Sequence, residues 1–402
     1  MTAAFPTPTA GQTSGKVLSP ELMASWIKQR ASELGFDVCG ITNANPAARA
    51  DYLKQWLDEG RAGEMAWLAR EPERRADPRV VLPDAQSIVI VGLNSWQEPL
   101  PGRARVARYA LGDDYHDIMT PRLQQLADEL ERKIQPHLAE QIAVRPQPPV
   151  EMPAGKSRSG KQRPPPSAFA RVYVDTGPVL ERPLAERAGL GWQGKSTMLI
   201  STRFGPWLML GEIITTVALP PDKAGTDRCG KCTRCIDKCP TGAITGPYQL
   251  DARRCIAYLT IENKGAIPEE FRPLIGNRLY GCEECLEVCP WNRFAQQTRE
   301  DRMLLRPSPD AAAAWDPRAL LSITPAEFKQ RFAGSPVLRI KQRGLLRNAC
   351  VVLGNIGTAE DLPALQAAAM SDAEPLVREH AAWAVTRINM RLESHNTGVS
   401  SK

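Results

Sequence analysis

Long apolar runs are missing from this chain. Across its 402 residues no stretch approaches the roughly 18 uninterrupted apolar residues of a spanning helix, so no membrane-embedded body is expected. The opening Met1-Thr2-Ala3-Ala4-Phe5-Pro6 lacks a basic start and an apolar core. No secretory signal is therefore expected, and the cytoplasm is the expected compartment. A strong excess of one charge is missing too. The net charge of +6 is mild, and would assist binding to a polyanion without proving it. With 43% hydrophobic and 24% charged residues, a wholly disordered chain is excluded.

Cysteine is scarce outside one region. Of ten cysteines, eight lie between Cys229 and Cys289. Clustering of this kind without an export signal argues for metal rather than disulfides. Cys39 and Cys350 sit in apolar surroundings and read as small core residues.

The composition divides the chain. Residues 1–18 read as a disordered leader. Ser19 as N-cap and Pro20 in the first turn open a helix that carries Leu22, Trp26, Ile27 and Leu34 before Gly35. Helices are also expected from Asp51 to Gly60 and from Tyr115 to Ile134. Strands are expected at Ser87–Leu93, Arg171–Asp175 and Trp207–Val217. Strands alternating with helices make residues 19–220 an α/β domain. Within it, residues 145–167 are rich in proline and carry Lys156, Arg158, Lys161 and Arg163. That composition fits an exposed flexible insertion or a basic arm on a phosphate backbone. Pro220-Pro221 ends the pattern, and a two-cluster domain spans 221–300.

In residues 301–388, Leu345, Ala349, Leu353 and Ile356 are echoed by Val377, Ala381, Val385 and Ile388. The echo fits an all-α, HEAT-like module or an ordinary helical bundle. Residues 389–402 read as a disordered tail.

The cysteine spacing is specific. Cys229-x2-Cys232-x2-Cys235-x3-Cys239-Pro240 is the bacterial-ferredoxin run for 4Fe–4S clusters. Its latter half recurs as Cys282-x2-Cys285-x3-Cys289-Pro290, with Cys255 upstream. In that run the last cysteine serves the other cluster. The first cluster then takes Cys229, Cys232, Cys235 and Cys289, and the second takes Cys239, Cys255, Cys282 and Cys285. A structural zinc pair is the alternative, but zinc sites usually use separated C-x2-C pairs. Two clusters feed either a partner protein or a redox centre in the upstream domain. A carrier needs no such upstream domain, which favours an enzyme.

The motifs around the clusters carry a resemblance. Arg108-Tyr109-Ala110-x-Gly112-x-Asp114-Tyr115-His116, Asp175-Thr176-Gly177-Pro178, Ala188-Gly189-Leu190-Gly191-Trp192-x-Gly194-Lys195 and Leu210-Gly211-Glu212-Ile213 occur in order. The cysteine run and Cys255-Ile256-x-Tyr258-Leu259-Thr260-Ile261-Glu262 follow. Together, over about residues 19–388, they closely resemble the epoxyqueuosine reductases of tRNA queuosine synthesis. Lys195-Ser196-Thr197 departs from the family's frequent Lys-Asn-Thr.

The resemblance implies an α/β cobalamin-binding domain, a ferredoxin-like domain with two 4Fe–4S clusters, and a HEAT-like module. It implies reduction of the epoxide of epoxyqueuosine at the wobble position of tRNA. The partners would be the anticodon stem-loop and an electron donor that the sequence does not identify. Asp175 matches the family's proposed acid. Its position at the end of an expected strand suits a ligand-facing residue, although Asp also caps turns. Gly194, Lys195 and Ser196 become cofactor candidates, with Arg70, Tyr258, Glu262 and Glu283 behind them. Arg70 reads equally as a solvated charge. His116 reads as structural rather than as a cobalt ligand. Lys341, Arg343 and Arg347 are candidates for RNA phosphates or a solvated helix start. A reductive dehalogenase-like enzyme and a two-cluster electron carrier are the competing readings.

Overall fold

The computed structural model describes residues 19–142, 169–306 and 311–397. The expected leader and the 145–167 insertion lie outside them. Among the described residues, no helix is long and apolar enough to cross a membrane.

The N-terminal domain is built on four strands: β1 (Val38–Asn43), β2 (Ser87–Asn94), β3 (Ala170–Tyr173) and β4 (Leu208–Thr215). They run in the order β1-β2-β4-β3, and every pairing is antiparallel. The α/β expectation is corrected here, because this is an antiparallel sheet carrying helices on both faces. Alternation of strands and helices along the chain does not fix strand direction, and β2, buried along its whole length, gives no sign of it either. A strand covered on both faces reads as a continuous apolar run, the signature usually met in parallel sheets. Alternation still sorts its side chains. Val89, Val91 and Leu93 pack under the Pro20–Glu33 and Tyr115–Ile142 helices, together with Ile27, Leu123 and Leu126. Ile88 and Ile90 pack on the other face with Leu184, Ala185 and Leu190.

Strand β1 was not anticipated. Val-Cys-Gly-Ile-Thr-Asn is a weak strand sequence because glycine is poor in strand interiors. Packing explains the glycine, since a Cβ at Gly40 would stand 2.2 Å from the Ala188 carbonyl oxygen.

The helical C-terminal segment is fused to what precedes it. Leu345, Ala349, Leu353, Val377, Ala381 and Ile388 share one core with Val106, Ala107, Leu279 and Tyr280. The last helix runs from Pro375 to Thr397, which corrects the expected tail from 389. Arg391 is the reason: its guanidinium donates to the Gly354 carbonyl and to that of Gly357 at 2.8 Å. Those carbonyls lie at the end of the Lys341–Ile356 helix, where a cation is favoured.

Candidate active site and cluster loops

Asp175 sits just beyond β3 in a left-handed conformation, with φ of 55°. The Thr176 N–H donates to the Val174 carbonyl at 2.6 Å, closing a three-residue turn on Asp175. A non-glycine residue held at positive φ stores backbone strain, which is characteristic of functional sites. The side chain is 60% exposed, so the turn presents the carboxylate outward. The Tyr115 hydroxyl donates to Asp175 Oδ2 at 2.9 Å. His116 Nε2 stands 4.0 Å from the same oxygen, while its Nδ1 is 2.7 Å from Asp114 Oδ1. The sequence suggested only a structural place for His116, and the structure puts it beside the carboxylate.

A polar wall surrounds the turn. Tyr109 neighbours Tyr280, Asp175 and Glu283, and burial raises its hydroxyl well above the usual range. Arg339 pairs with Glu262 at 2.6 Å, and Asp175 and Tyr280 are its further neighbours. Glu283 is bound by Arg108 through the guanidinium and through the backbone N–H at 2.7 Å. Burial, opposed by Arg108, pushes the Glu283 carboxyl up to about 7. Glu262 and Glu283 therefore already have partners and act as wall residues. The Tyr258 hydroxyl accepts from the Glu64 N–H at 2.7 Å. Arg70 is exposed.

The 194–196 segment lies against the first cysteine loop. Lys195 Nζ donates to the carbonyls of Gly230 at 2.6 Å and Cys232 at 3.0 Å. It clamps that loop, a role that no sequence signal announced. A Cβ at Gly194 would stand 2.4 Å from Ile200 Cδ1 and 3.4 Å from Cys229 Sγ. Ser196 is buried. The Trp192 indole N–H points at Cys229 Sγ, 3.5 Å away.

The thiols have neighbours drawn from both cysteine motifs. Burial, followed by the neighbouring thiols of Cys229, Cys289 and Cys232, pushes Cys235 up to about 11. Cys289 in turn faces Cys229 and Cys232. On the other side, Cys255 faces Cys239, and Cys285 faces Cys255, Cys282 and Cys239, with Cys235 as its weakest thiol neighbour. Among the described residues no three or more His, Cys, Asp or Glu side chains could hold a lone metal ion. Two sets of four thiols, each drawn from both motifs, fit two polynuclear clusters. Cys350 is buried in the helical core, and burial pushes the Cys39 thiol up to about 12.

Comparison with known proteins agrees with this arrangement. A 4Fe-4S double cluster binding domain matches residues 228–292, and the family "Epoxyqueuosine reductase QueG, DUF1730" matches residues 75–144. The epoxyqueuosine reductase of Xanthomonas campestris pv. campestris is 41% identical over 92% of this chain and 97% of its own length. That of Escherichia coli K12 is 39% identical over 91% of this chain and 89% of its own.

The chain belongs to the epoxyqueuosine reductase family.

Its fold agrees with two solved family structures. An epoxyqueuosine reductase with an epoxyqueuosine-modified tRNA-Tyr stem loop aligns with a TM-score of 0.73 at 31% identity, over 90% of this chain and 89% of that one. The Bacillus subtilis epoxyqueuosine reductase, with its catalytic Asp loop swung out of the active site, aligns with a TM-score of 0.73 at 30% identity, over 94% of both chains. As a member of this oxidoreductase family the chain carries two 4Fe–4S clusters. Sequence reasoning missed Tyr280 and Arg339 in the wall. Arg339 reaches Asp175, and Tyr280 reaches Tyr109, only through tertiary folding, and neither stands in a spacing that reveals it.

Proposed function

We propose that this protein reduces the epoxide of epoxyqueuosine at the wobble position of tRNA to the alkene of queuosine, releasing water, in the cytoplasm. The observation that carries the reading is an exposed, strained Asp175 that shares its neighbour Tyr109 with Glu283, which stands between Cys282 and Cys285 of a two-cluster domain. The substrate is the anticodon stem-loop. Its modified base must be presented to the Asp175 turn as an extruded nucleotide, the usual way in which enzymes reach a base.

The two cysteine loops sit at different depths. Gly230, Lys231 and Arg234 of the first are exposed, whereas Gly281, Glu283 and Glu284 of the second are buried, with Glu283 among the neighbours of Tyr109. The clusters, when bound, would pass electrons from the donor toward the Asp175 site.

Cobalamin is the redox group that the family implies for this site. Polar atoms that are buried without partners favour a seat for a ring bearing amide arms, His116 Nε2 and Gln193 Oε1 among them. Gly194, Ser196, Arg70 and Tyr258 are the residues assigned to it. Cobalamin, when bound, supplies low-potential electrons at the epoxide carbon.

The chain's own residues do the rest. Tyr115 and His116 orient the Asp175 carboxyl, which gives a proton to the departing epoxide oxygen. The Arg339–Glu262 and Arg108–Glu283 pairs hold the wall in place. The paired C-terminal helices form the HEAT-like module, whose exposed Lys341 and half-buried Arg343 face RNA phosphates. The test is direct. Protein reconstituted without oxygen, given reductant, cobalamin and epoxyqueuosine tRNA, should convert the base to queuosine, with one oxygen lost by mass. No conversion by a chain loaded with both clusters and cobalamin would refute the reading.

A further inference from the structure

Two carboxyls lie under the Asp175 turn, and nothing above gives them work. Glu212 on β4 stands opposite Tyr173 on β3. It is 1% exposed, and neither carboxyl oxygen has a hydrogen-bond partner. A Cβ at Gly177 would come within 3.0 Å of its Oε1, so the carboxyl is pressed against the turn. Glu181 opens the helix that follows, and its Oε1 is also buried without a partner. The groups facing the pair are Asp175 on the turn, Arg75 and Arg182 beside Glu181, and Tyr115 across Asp175.

A strand residue among Leu210, Ile213 and Ile214 has no structural need of an acid. An ionised carboxylate with unpaired buried oxygens is strongly disfavoured, so these sites favour the protonated form. Burial and the neighbouring Asp175 push Glu181 up to about 8, and burial with Glu181 and then Asp175 beside it pushes Glu212 well above the usual carboxylate range. Both hold a proton at neutral pH.

The reaction has a matching need. An epoxide becomes an alkene and water by taking two electrons and two protons. The first proton goes to the oxygen as one C–O bond breaks and leaves a hydroxyl. The second goes to that hydroxyl as the other C–O bond breaks and water departs. A single carboxyl such as that of Asp175 can deliver only one proton at a time. Its exposed side is the side the substrate must occupy, so the outward route to solvent is covered during turnover. The inward route leads to Glu181 and Glu212.

We propose that Glu181 and Glu212 form a proton store beneath the Asp175 turn, refilling Asp175 after its first proton transfer so that one residue meets both proton demands. The two electrons come from the donor through the clusters. At the end Asp175 and one member of the pair are deprotonated, and both regain protons from solvent when the product leaves. Glu181 and Glu212 are positioning residues in this scheme, acting only through Asp175, and the inference rests on Asp175 being the acid.

The test uses Glu212→Gln and Glu181→Gln, which keep shape but carry no transferable proton. In the cofactor-free wild type, infrared spectra at neutral pH should show the carbonyl stretch of protonated carboxyls, diminished in each variant. Stability should behave accordingly. Glu181 is raised from 4.5 to about 8, so its contribution is complete below about 4.5 and is lost as pH rises through about 8. The melting temperature of Glu181→Gln should therefore fall less than that of the wild type over this window. In loaded enzyme, single-turnover alkene formation should drop by about 10²-fold, the lower end of acid–base assistance. Stem-loop affinity should hold, and the wild type's decline above about pH 8 should disappear. Glu212→Asp, which keeps a proton, should recover part of the rate.

Wild-type turnover with an unchanged alkaline limb in both Gln variants would overturn the store, as would the absence of a protonated-carboxyl signal. Should one Gln variant fail to fold, the other carries the same test. Asp175→Asn separates the two claims. If it is inactive while the Gln variants are normal, only the store fails; if it is fully active, the acid assignment fails first.

Discussion

Around the first cysteine loop, Arg228, Lys231, Arg234 and Lys238 stand in solvent, with Lys195 clamping the loop from one side. Around the second, Glu283 and Glu284 are buried and Glu287 is half-buried. Arg105, Arg108 and Arg278 hold these acids. Similar cysteine spacings therefore serve opposite surroundings. A cluster that exchanges electrons with a partner has to be reachable, and a loop with few tertiary ties permits that. The second loop is fixed instead, since buried ion pairs hold it while making it intolerant of change.

The severest way to break this comparison is to cross the two loops by mutation. Cys289→Ala lies in the second loop, yet it should destroy the first cluster, because its thiol faces Cys229, Cys232 and Cys235. Anaerobic iron content should fall from about eight toward about four per chain, with the spectrum of the second cluster preserved. Cys239→Ala should do the converse. A Cys289→Ala protein that kept the first cluster and lost the second would invert the assignment.

Next in size is Asp175→Asn. It keeps the hydrogen bond from Tyr115 but has no proton to give, so single-turnover reduction should fall by about 10²–10⁴-fold. Iron and cobalamin content should stay normal. A residue serving only the turn would leave the rate intact, since Asn adopts left-handed turns about as readily as Asp.

The double-cluster domain was legible in the sequence because a cluster imposes its cysteine spacing on the chain, and the spacing survives any fold around it. The Ser19 cap and strand β2 were legible for a similar reason, since a cap and an apolar run are local signals. What failed was non-local. Strand direction is not encoded in a strand buried on both faces. Gly40 hid β1 because its reason is the Ala188 carbonyl, distant in sequence. Arg347 looked like a phosphate ligand because a basic helix start is usually solvated. It is 1% exposed and donates at 2.8 Å to the carbonyls of Leu259, Asn263 and Gly265, so it is corrected to a structural residue. Likewise, removing residues 340–402 would strip a shared core rather than a detachable module.

A third experiment sharpens the contrast in stability. Arg108 is 7% exposed beside Glu283 and lies over the Trp207 ring, 4.8 Å from its centroid. Arg108→Met should destabilise the protein by about 3–5 kcal/mol, because it leaves a buried acid without its partner. Lys231→Ala in the first loop should stay within about 0.5 kcal/mol, as exposed surface substitutions do. Chemical denaturation of the cluster-loaded chain measures both, and equal losses would erase the distinction between the loops.

The smallest expected effect concerns RNA. Lys341 is exposed, and Arg343, with a side chain 41% exposed, lies 4.0 Å from Glu374. These two, unlike Arg347, are free to approach a phosphate. A phosphate contact releases counterions, so each lost contact should flatten the plot of log affinity against log salt by about 0.7–0.9. Affinity itself should drop only modestly at physiological salt, where such charges are largely screened. The measurement is stem-loop binding by Lys341→Ala and Arg343→Gln across a salt series, in protein whose cluster spectra match the wild type. A single variant should lower the slope by one contact and the double variant by two. Slopes equal to the wild type in both would leave Lys341 and Arg343 as solvated charges and move phosphate recognition to the basic residues nearer the Asp175 turn.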